Sequence, residues 1–267
     1  MATSFALRAP ARAPKRMSLP LKIGIGALVV FLIVQAYIVI EAHPEDIITG
    51  FSGIVDIVRR GLPPDPRVLL PSLKASLVTI DVAILATFVP IIFSIPLGFM
   101  AAHNTTPGRW AYYAARGIIA VCRTVPDIVW ALLFVTAVGL GAFPAFLGLA
   151  VHSVGVLGRL YAEAIEDVNM EPVHALQVTG ANPAQIASQA ILPAVLPTMI
   201  GLSLYRLDTN VRSSLVLGFV GGGGIGFQIQ QALALFEYKQ LTMLLIIMCV
   251  MIVGIEGLAV FLRKSIS

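Results

Sequence analysis

The sequence predicts an all-α protein that crosses a membrane about six times. Hydrophobic residues make up 58% of the 267 residues, and glycine raises the apolar share to roughly two thirds, against about 45–50% in a soluble domain counted in the same way. Only 12% of the residues are charged, which is about half of the usual share. Because so few polar side chains cannot cover a water-soluble surface, the composition argues against a soluble globular protein and excludes a disordered chain.

Six apolar segments can account for these crossings, since a spanning helix needs about 20 residues. The first, residues 23–40, has no charge in 18 positions and no small-residue cleavage site after it, which favours a retained helix over a signal peptide. Pro90 and Pro96 predict a kink in the second. The other five segments are about Ser72–Met100, Val125–Phe143, Phe143–Gly158, Ala194–Gly218 and Gln240–Leu262.

Lysine and arginine predict the orientation, because cytoplasmic loops are enriched in basic residues. Residues 1–22 form a basic tail without an acidic side chain, and basic residues recur near Arg109, near Arg159 and at the C-terminus. Six spans place all of these segments, and therefore both termini, in the cytosol. The alternative, a nucleic-acid-binding arm, is disfavoured because the tail adjoins an apolar run of 18 residues.

Residues 41–71 lie outside in this orientation and contain an amphipathic helical pattern before a stiff turn at 61–66. The pattern predicts a helix on the outer membrane surface, and a packing helix without a further role is the alternative. Its apolar stripe consists of Ile47, Ile48, Phe51, Ile54, Val55 and Val58.

The longest polar stretch on the predicted inner side is residues 159–193. We expect one helix at about Leu160–Val168, a second from Pro172 to a cap at Gly180, and a third segment from Asn182 to the end of the stretch. The sequence contains no Walker-type phosphate loop, so a compact knob of this kind suggests coupling to a soluble motor. An ordinary connecting loop would have the same shape.

The second half of this stretch resembles the coupling loop of ATP-binding cassette (ABC) importer permeases. That motif reads Glu-Ala-Ala, a glycine after three further residues, and Leu-Pro twelve residues beyond the glycine. Ala175, Gly180, Leu192 and Pro193 occupy the family positions, whereas His174 stands where glutamate is usual. In the family this loop docks in a cleft of the ATPase. The residues that the resemblance assigns to ATPase coupling are Glu163, Glu166, His174, Ala175, Leu176, Gly180, Ala181, Leu192 and Pro193.

Further segments look like the permeases of phosphonate importers, whose branch also includes importers of phosphite or phosphate. These are residues 123–141, 152–168 and 204–229, together with a similar Pro-Pro-Asp turn at 63–65. The resemblance covers about residues 60–265. It implies a type I ABC importer permease with a core at 72–265, in the bacterial inner membrane.

The resemblance also implies the partners. These would be a second copy of the chain, two ABC subunits that bind ATP and magnesium, an extracytoplasmic substrate-binding protein, and membrane lipid. The chain itself would be a transport subunit with no cofactor, metal or catalytic residue of its own. A permease for another small solute, such as methionine, and a secondary transporter that needs no ATPase are the alternatives.

Four polar side chains interrupt the apolar segment 194–218, namely Arg206, Asp208, Asn210 and Arg212. An ionised side chain at the bilayer centre costs at least ~2.5–3.5 kcal/mol on insertion scales, so these groups must face protein or water. Helical spacing allows Asp208 to pair with Arg212, whereas Arg206 and Asn210 share a different face.

Two interpretations follow for Arg206. Either it lines the substrate path, since guanidinium groups match tetrahedral oxyanions, or it is structural and pairs with Asp81 or the lipid head groups. The predicted substrate pathway comprises Arg206, Asn210, Arg212, Gly222 and Gly223.

The glycine-rich run at 221–226 predicts a sharp turn. It forms either a re-entrant turn at the outer gate or a close contact between helices. Nucleotide binding is disfavoured, because no Lys-Ser/Thr follows the glycines.

Overall fold

A computed structural model describes residues 18–41 and 44–266, and every regular element in these ranges is helical. Short 3₁₀ and π-helical turns lie at Pro66–Val68, Ala187–Ile191 and Gly218–Gly222. The α-helices are α1 (Leu19–Val39), α2 (Pro44–Gly61), α3 (Leu69–Ala101), α4 (Arg109–Thr124), α5 (Asp127–Val138), α6 (Ala142–Glu166), α7 (Glu171–Val178), α8 (Pro183–Ile186), α9 (Leu192–Leu217), α10 (Gly224–Ala234) and α11 (Tyr238–Ile266).

The chain divides into two compact units at Asp56. The first contains α1, whose 21 residues have a mean hydropathy of 2.2 and no buried side chain. At about 1.5 Å per residue, α1 is long enough to cross a membrane. Most of the predicted basic tail lies outside the described residues.

The amphipathic helix predicted within residues 41–71 is present as α2. Phe51, Ile54 and Val58 of its apolar stripe are exposed, while the side chains of Ile47 and Ile48 lie outside the described part of the chain. Its position on the outer membrane surface stays a prediction.

The number of apolar spans agrees with the sequence. Five helical segments of the described chain are long and apolar enough to cross a membrane: α1, α3, α6, α11 and the continuous segment Pro183–Gly222 that includes α9. A sixth crossing is obtained when α4 and α5 are counted as one bent span. Since α3 continues through Pro90 and Pro96 for 33 residues, it reaches about 50 Å, more than the ~30 Å hydrocarbon layer.

Two predicted spans had the wrong boundaries. Val125–Phe143 is not one straight helix, because α5 has only 12 residues and meets α4 at 85°. Conversely, α6 runs for 25 residues to Glu166 and absorbs the separate helix expected at Leu160–Val168. No proline interrupts the sequence from 145 to 166, so the helix continues out of the apolar segment into the polar one.

The second unit is built around α6, which packs against α3, α4, α5 and α9. Leu157, Tyr161 and Ile165 of α6 are fully buried and form one core with Val195 and Met199 of α9. A second core joins α10 and α11 to the end of α9. The central position of α6 brings polar groups of α3 and α9 into contact with its buried face.

Candidate coupling elbow and transport site

The helix–glycine–helix elbow predicted after residue 170 is confirmed. Helix α7 ends before Gly180, whose φ of +81° is a left-handed conformation that glycine adopts without strain. The amide N–H of Gly180 donates to the Gln177 carbonyl oxygen at 3.0 Å, and that of Ala181 donates to Leu176 at 3.2 Å. These bonds satisfy the carbonyl groups at the end of α7 and fix the turn.

The next helix begins as the sequence predicts. The Asn182 side chain accepts a bond from the Gln185 amide, and the Gln185 side chain accepts one from the Asn182 amide, both at 2.9 Å. This is a capping box, which satisfies two otherwise free donors.

The segment after Asn182 does not end at Leu192-Pro193. It continues through the π-helical turn at Ala187–Ile191 directly into α9. Pro193 lies in the first turn of α9, where a missing N–H breaks no intrahelical bond. The elbow is therefore joined without a break to the span that carries Arg206.

The elbow is anchored on one side and exposed on the other. Val173 is 3% exposed and lies in the α6 core with Ile191, whereas His174, Ala175 and Gly180 are exposed. The His174 Nδ1 atom lies 3.2 Å from the Gln177 Oε1 atom. The sequence analysis missed Val178, an apolar side chain that is 89% exposed on this face. Its position directly before the C-cap residue Thr179 could have indicated an exposed side chain.

The two glutamates assigned to the coupling loop make internal ion pairs. Glu163 lies 2.6 Å from Arg159, one turn away on α6. Glu166 accepts bonds at 2.9 Å from the Arg116 guanidinium and from the His103 backbone N–H. Glu166 therefore ties the end of α6 to the loop after α3 and to helix α4.

A buried polar network joins three spans near the middle of α9. Asn210 is fully buried and donates to the Ala86 carbonyl oxygen and the Thr87 hydroxyl of α3, both at 2.9 Å. The Ser153 hydroxyl of α6 donates to the Asn210 Oδ1 atom at 3.3 Å. The Arg206 Nε–H donates to the same hydroxyl at 3.0 Å.

Arg206 is 5% exposed, and its Nη2 atom has no hydrogen-bond partner within the described residues. The negative charge of Asp127, at the start of α5, acts on Arg206, although the two side chains form no ion pair within the described residues. Asp81 is exposed and forms no ion pair with Arg206 in the described chain, so the interpretation that paired these two residues is wrong. Burial also rules out contact with lipid head groups.

The predicted pair between Asp208 and Arg212 is confirmed, with 3.1 Å between Nη2 and Oδ2. Glu256 of α11 lies 3.4 Å from the same guanidinium. The Arg212 side chain is 52% exposed. The four polar residues of α9 thus separate into a buried network and an exposed ion-pair cluster.

The glycine-rich turn makes close contacts with other helices. Gly221, Gly223 and Gly224 have φ values of +92°, +72° and +68°, which side-chain-bearing residues rarely adopt. Gly141 donates to the Gly221 carbonyl oxygen at 2.9 Å, and the Ile225 amide donates to the Thr79 hydroxyl at 3.0 Å. These contacts support the close-packing interpretation of the turn, and a gating role for Gly222 and Gly223 stays a prediction.

Ser153, Thr87 and Asp127 were missed by the sequence analysis. Ser153 and Thr87 are polar residues in otherwise apolar spans, which was the available signal. Their role depends on contacts with Asn210 across 57 and 123 residues of sequence, which no local pattern encodes.

Asn210→Ala should lower the stability of the protein, because it leaves the Ala86 carbonyl and the Thr87 and Ser153 hydroxyls short of a buried partner. Each such group costs about 1–3 kcal/mol, and 1 kcal/mol shifts the unfolding midpoint by roughly 2–4 °C at this size. We expect a decrease of at least about 6 °C in the thermal unfolding midpoint of the protein in detergent, from three groups at about 1 kcal/mol or more each. The exposed Gln230→Ala change is the control. A midpoint within 2 °C of wild type (~0.5 kcal/mol by the same scale) would contradict the network.

The fold and the elbow together define a class of protein, the membrane-spanning permeases of type I ABC importers. The fold is similar to a solved inward-facing MetNI methionine ABC transporter, with a TM-score of 0.66 and 20% identity over 76% of this chain and 99% of that chain. A bacterial ABC transporter for the import of alginate gives a TM-score of 0.59 and covers 93% of this chain and 99% of that chain.

The family described as "Binding-protein-dependent transport system inner membrane component" matches residues 94–266. The chain belongs to this family and is a transport component of the inner membrane.

Two curated relatives have higher sequence identity than these structures. The phosphate-import permease protein PhnE of Mycolicibacterium smegmatis is 40% identical over 229 residues, which cover 84% of this chain and 42% of that protein. The phosphite transport system permease protein PtxC of Stutzerimonas stutzeri is 34% identical over 218 residues, which cover 82% of this chain and 79% of that protein. This chain therefore spans less than half of the mycobacterial protein and most of the other.

Proposed function

We propose that this chain is the membrane-spanning subunit of an ATP-driven importer for phosphonate or a related phosphorus oxyanion, such as phosphite or phosphate. The proposed substrate class is supported by sequence identity of 34–40% to permeases named for phosphate and phosphite, over more than four fifths of this chain. The same observation favours this substrate class over methionine.

The buried Arg206 supports an anionic substrate. Its Nη2 atom has no hydrogen-bond partner among the described residues, while its Nε–H donates to the Ser153 hydroxyl, and guanidinium groups bind tetrahedral oxyanions through charge-assisted hydrogen bonds. Because the Asp127 carboxylate partly offsets the charge, the site suits weak and transient binding, which conduction through a path requires.

The partners follow from the elbow. We place two ATPase subunits that bind ATP and magnesium against the exposed faces of two copies of the elbow, one from each protomer of a homodimer. A soluble binding protein delivers the substrate at the opposite end. Closure of the ATPases on ATP binding draws the elbows together, and each ATPase state stabilises the permease conformation that it binds better.

The continuous helix from the elbow to Arg206 supports this coupling. The helical segment from Pro183 to Leu217 transmits displacement of the elbow to the buried network, since a helix resists bending more than a loop does. Both termini lie in the cytosol in this arrangement. The Glu166 cluster is consistent with it, because it joins two loops that the distribution of arginine assigns to the same side.

Uptake of radiolabelled phosphite or methylphosphonate tests the proposal. Cells that lack other importers for these solutes should accumulate them when the chain is produced together with its ATPase and binding protein. Accumulation should disappear when the ATPase is inactivated. Uptake that persists without the ATPase would identify a secondary transporter, and a binding protein that retains methionine but no phosphorus oxyanion would overturn the substrate class.

A further inference from the structure

A cavity of about 320 Å³ lies where α4 crosses the end of α3 and the second half of α6. None of its lining residues belongs to the polar network at Arg206 or to the proposed transport path. Three arginines line it, Arg116 and Arg123 from α4 and Arg159 from α6, and Glu163 is the acidic residue of the lining. The lining is therefore positively charged and suits an anion.

The arginines belong to a regular row. Arg109, Arg116 and Arg123 are spaced by seven residues and so lie along one side of α4. Arg116 is bound to Glu166 at 2.9 Å, and Arg159 to Glu163 at 2.6 Å. Arg123 has no hydrogen-bond or ion-pair partner among the described residues, which leaves its donors available to a ligand.

An exposed apolar face adjoins this row. Trp110 is 90% exposed, Tyr113 56% and Val121 59%. Tyr113 lies beside the arginines, with the Arg109 guanidinium 5.7 Å from its ring centroid, and helical spacing makes Trp110 and Val121 continue this exposed face away from them. Tryptophan and tyrosine are enriched at the membrane–water interface, and basic residues beside an apolar face are typical of helices that lie in the interface. Because α4 meets the apolar helix α5 at 85°, the two helices cannot both run along the membrane normal.

We infer that this cavity binds the phosphodiester head group of an anionic phospholipid, whose acyl chains lie against the exposed face of α4. Arg123 and Arg159 contact the phosphate, and Trp110 and Val121 contact the chains. The apolar face distinguishes this ligand from a free phosphorus oxyanion, which would gain nothing from it. The inference depends on the membrane location of the chain and not on the solute that it transports.

Native mass spectrometry of the full-length protein in mild detergent tests the site. Titration with phosphatidylglycerol measures the affinity of bound lipid for wild type and for Arg123→Gln/Arg159→Gln. Each basic side chain near an anionic membrane surface contributes roughly a fivefold gain in binding. We therefore expect the double variant to bind phosphatidylglycerol about 30-fold more weakly, and Arg123→Lys/Arg159→Lys to retain most of the affinity.

The control is Arg67→Gln/Lys239→Gln, which removes two exposed charges away from the cavity and should leave lipid binding unchanged. Wild type should also prefer phosphatidylglycerol to phosphatidylcholine. Equal affinity of the double glutamine variant and wild type would overturn the proposal. So would displacement of phosphatidylglycerol by an equal concentration of inorganic phosphate, because that result identifies a site for a small anion.

Discussion

Gly180→Val should abolish ATP-coupled uptake while the protein still reaches the membrane. The φ of +81° at this position costs a side-chain-bearing residue about 1–2 kcal/mol, and a β-branched one more. The strained turn should rotate the exposed face of α7 away from its partner, since both bonds of the cap depend on that conformation. We expect at least a tenfold loss of phosphite uptake at unchanged membrane abundance, with ATP hydrolysis no longer stimulated by the binding protein.

Thr179→Val is the matched control, because residue 179 has φ of −79° and accepts a β-branched side chain. It should retain most of the uptake. Normal coupled uptake by the Gly180 variant would refute the assignment of the elbow to an ATPase contact. Loss of the variant from the membrane would instead point to a folding role, which thermal unfolding of the purified protein detects.

Arg206→Ala should reduce uptake more than Arg212→Ala. The first removes a buried cation with a free donor, whereas the second removes a cation that is 52% exposed and paired with Asp208 and Glu256. Exposed ion pairs contribute about 0–1 kcal/mol. We expect a loss of at least about tenfold in the uptake rate for Arg206→Ala, which corresponds to roughly 1.4 kcal/mol, and less than about threefold for Arg212→Ala.

Arg206→Lys separates charge from packing. Lysine keeps the positive charge but lacks the planar set of N–H donors of the guanidinium group. We therefore expect an uptake rate between those of wild type and Arg206→Ala. Wild-type uptake by a well-folded Arg206→Ala protein would show that the residue is structural. A parallel measurement of the thermal unfolding midpoint identifies variants that fail because they do not fold.

Local features of the sequence determined much of the elbow. Gly180 and Asn182 predicted the end of one helix and the start of the next, because capping depends on residues within one turn of each other. The Asp208–Arg212 pair was predictable for the same reason, since residues four apart in a helix are neighbours. The resemblance in the coupling motif then indicated the family, which composition alone does not identify.

The ends of the helices and the contacts between side chains of different helices were less predictable. The sequence did not indicate that α6 continues to Glu166, nor that the Glu166 carboxylate binds Arg116, 50 residues earlier. The 85° bend between α4 and α5 was also missed, because Val125-Pro126 lies at the start of an apolar run that reads as one span. Each outcome depends on which helix packs beside which.

The sequence by itself determined that this protein is a helical membrane protein with a capped elbow, because apolar runs and helix caps act over a few residues. Only the tertiary structure decided that Arg206 donates to the Ser153 hydroxyl of α6 and forms no ion pair with Asp81 within the described residues. A buried charge in a low-dielectric interior takes its partner from whichever helix is packed against it, and the choice of that helix is a property of the whole fold.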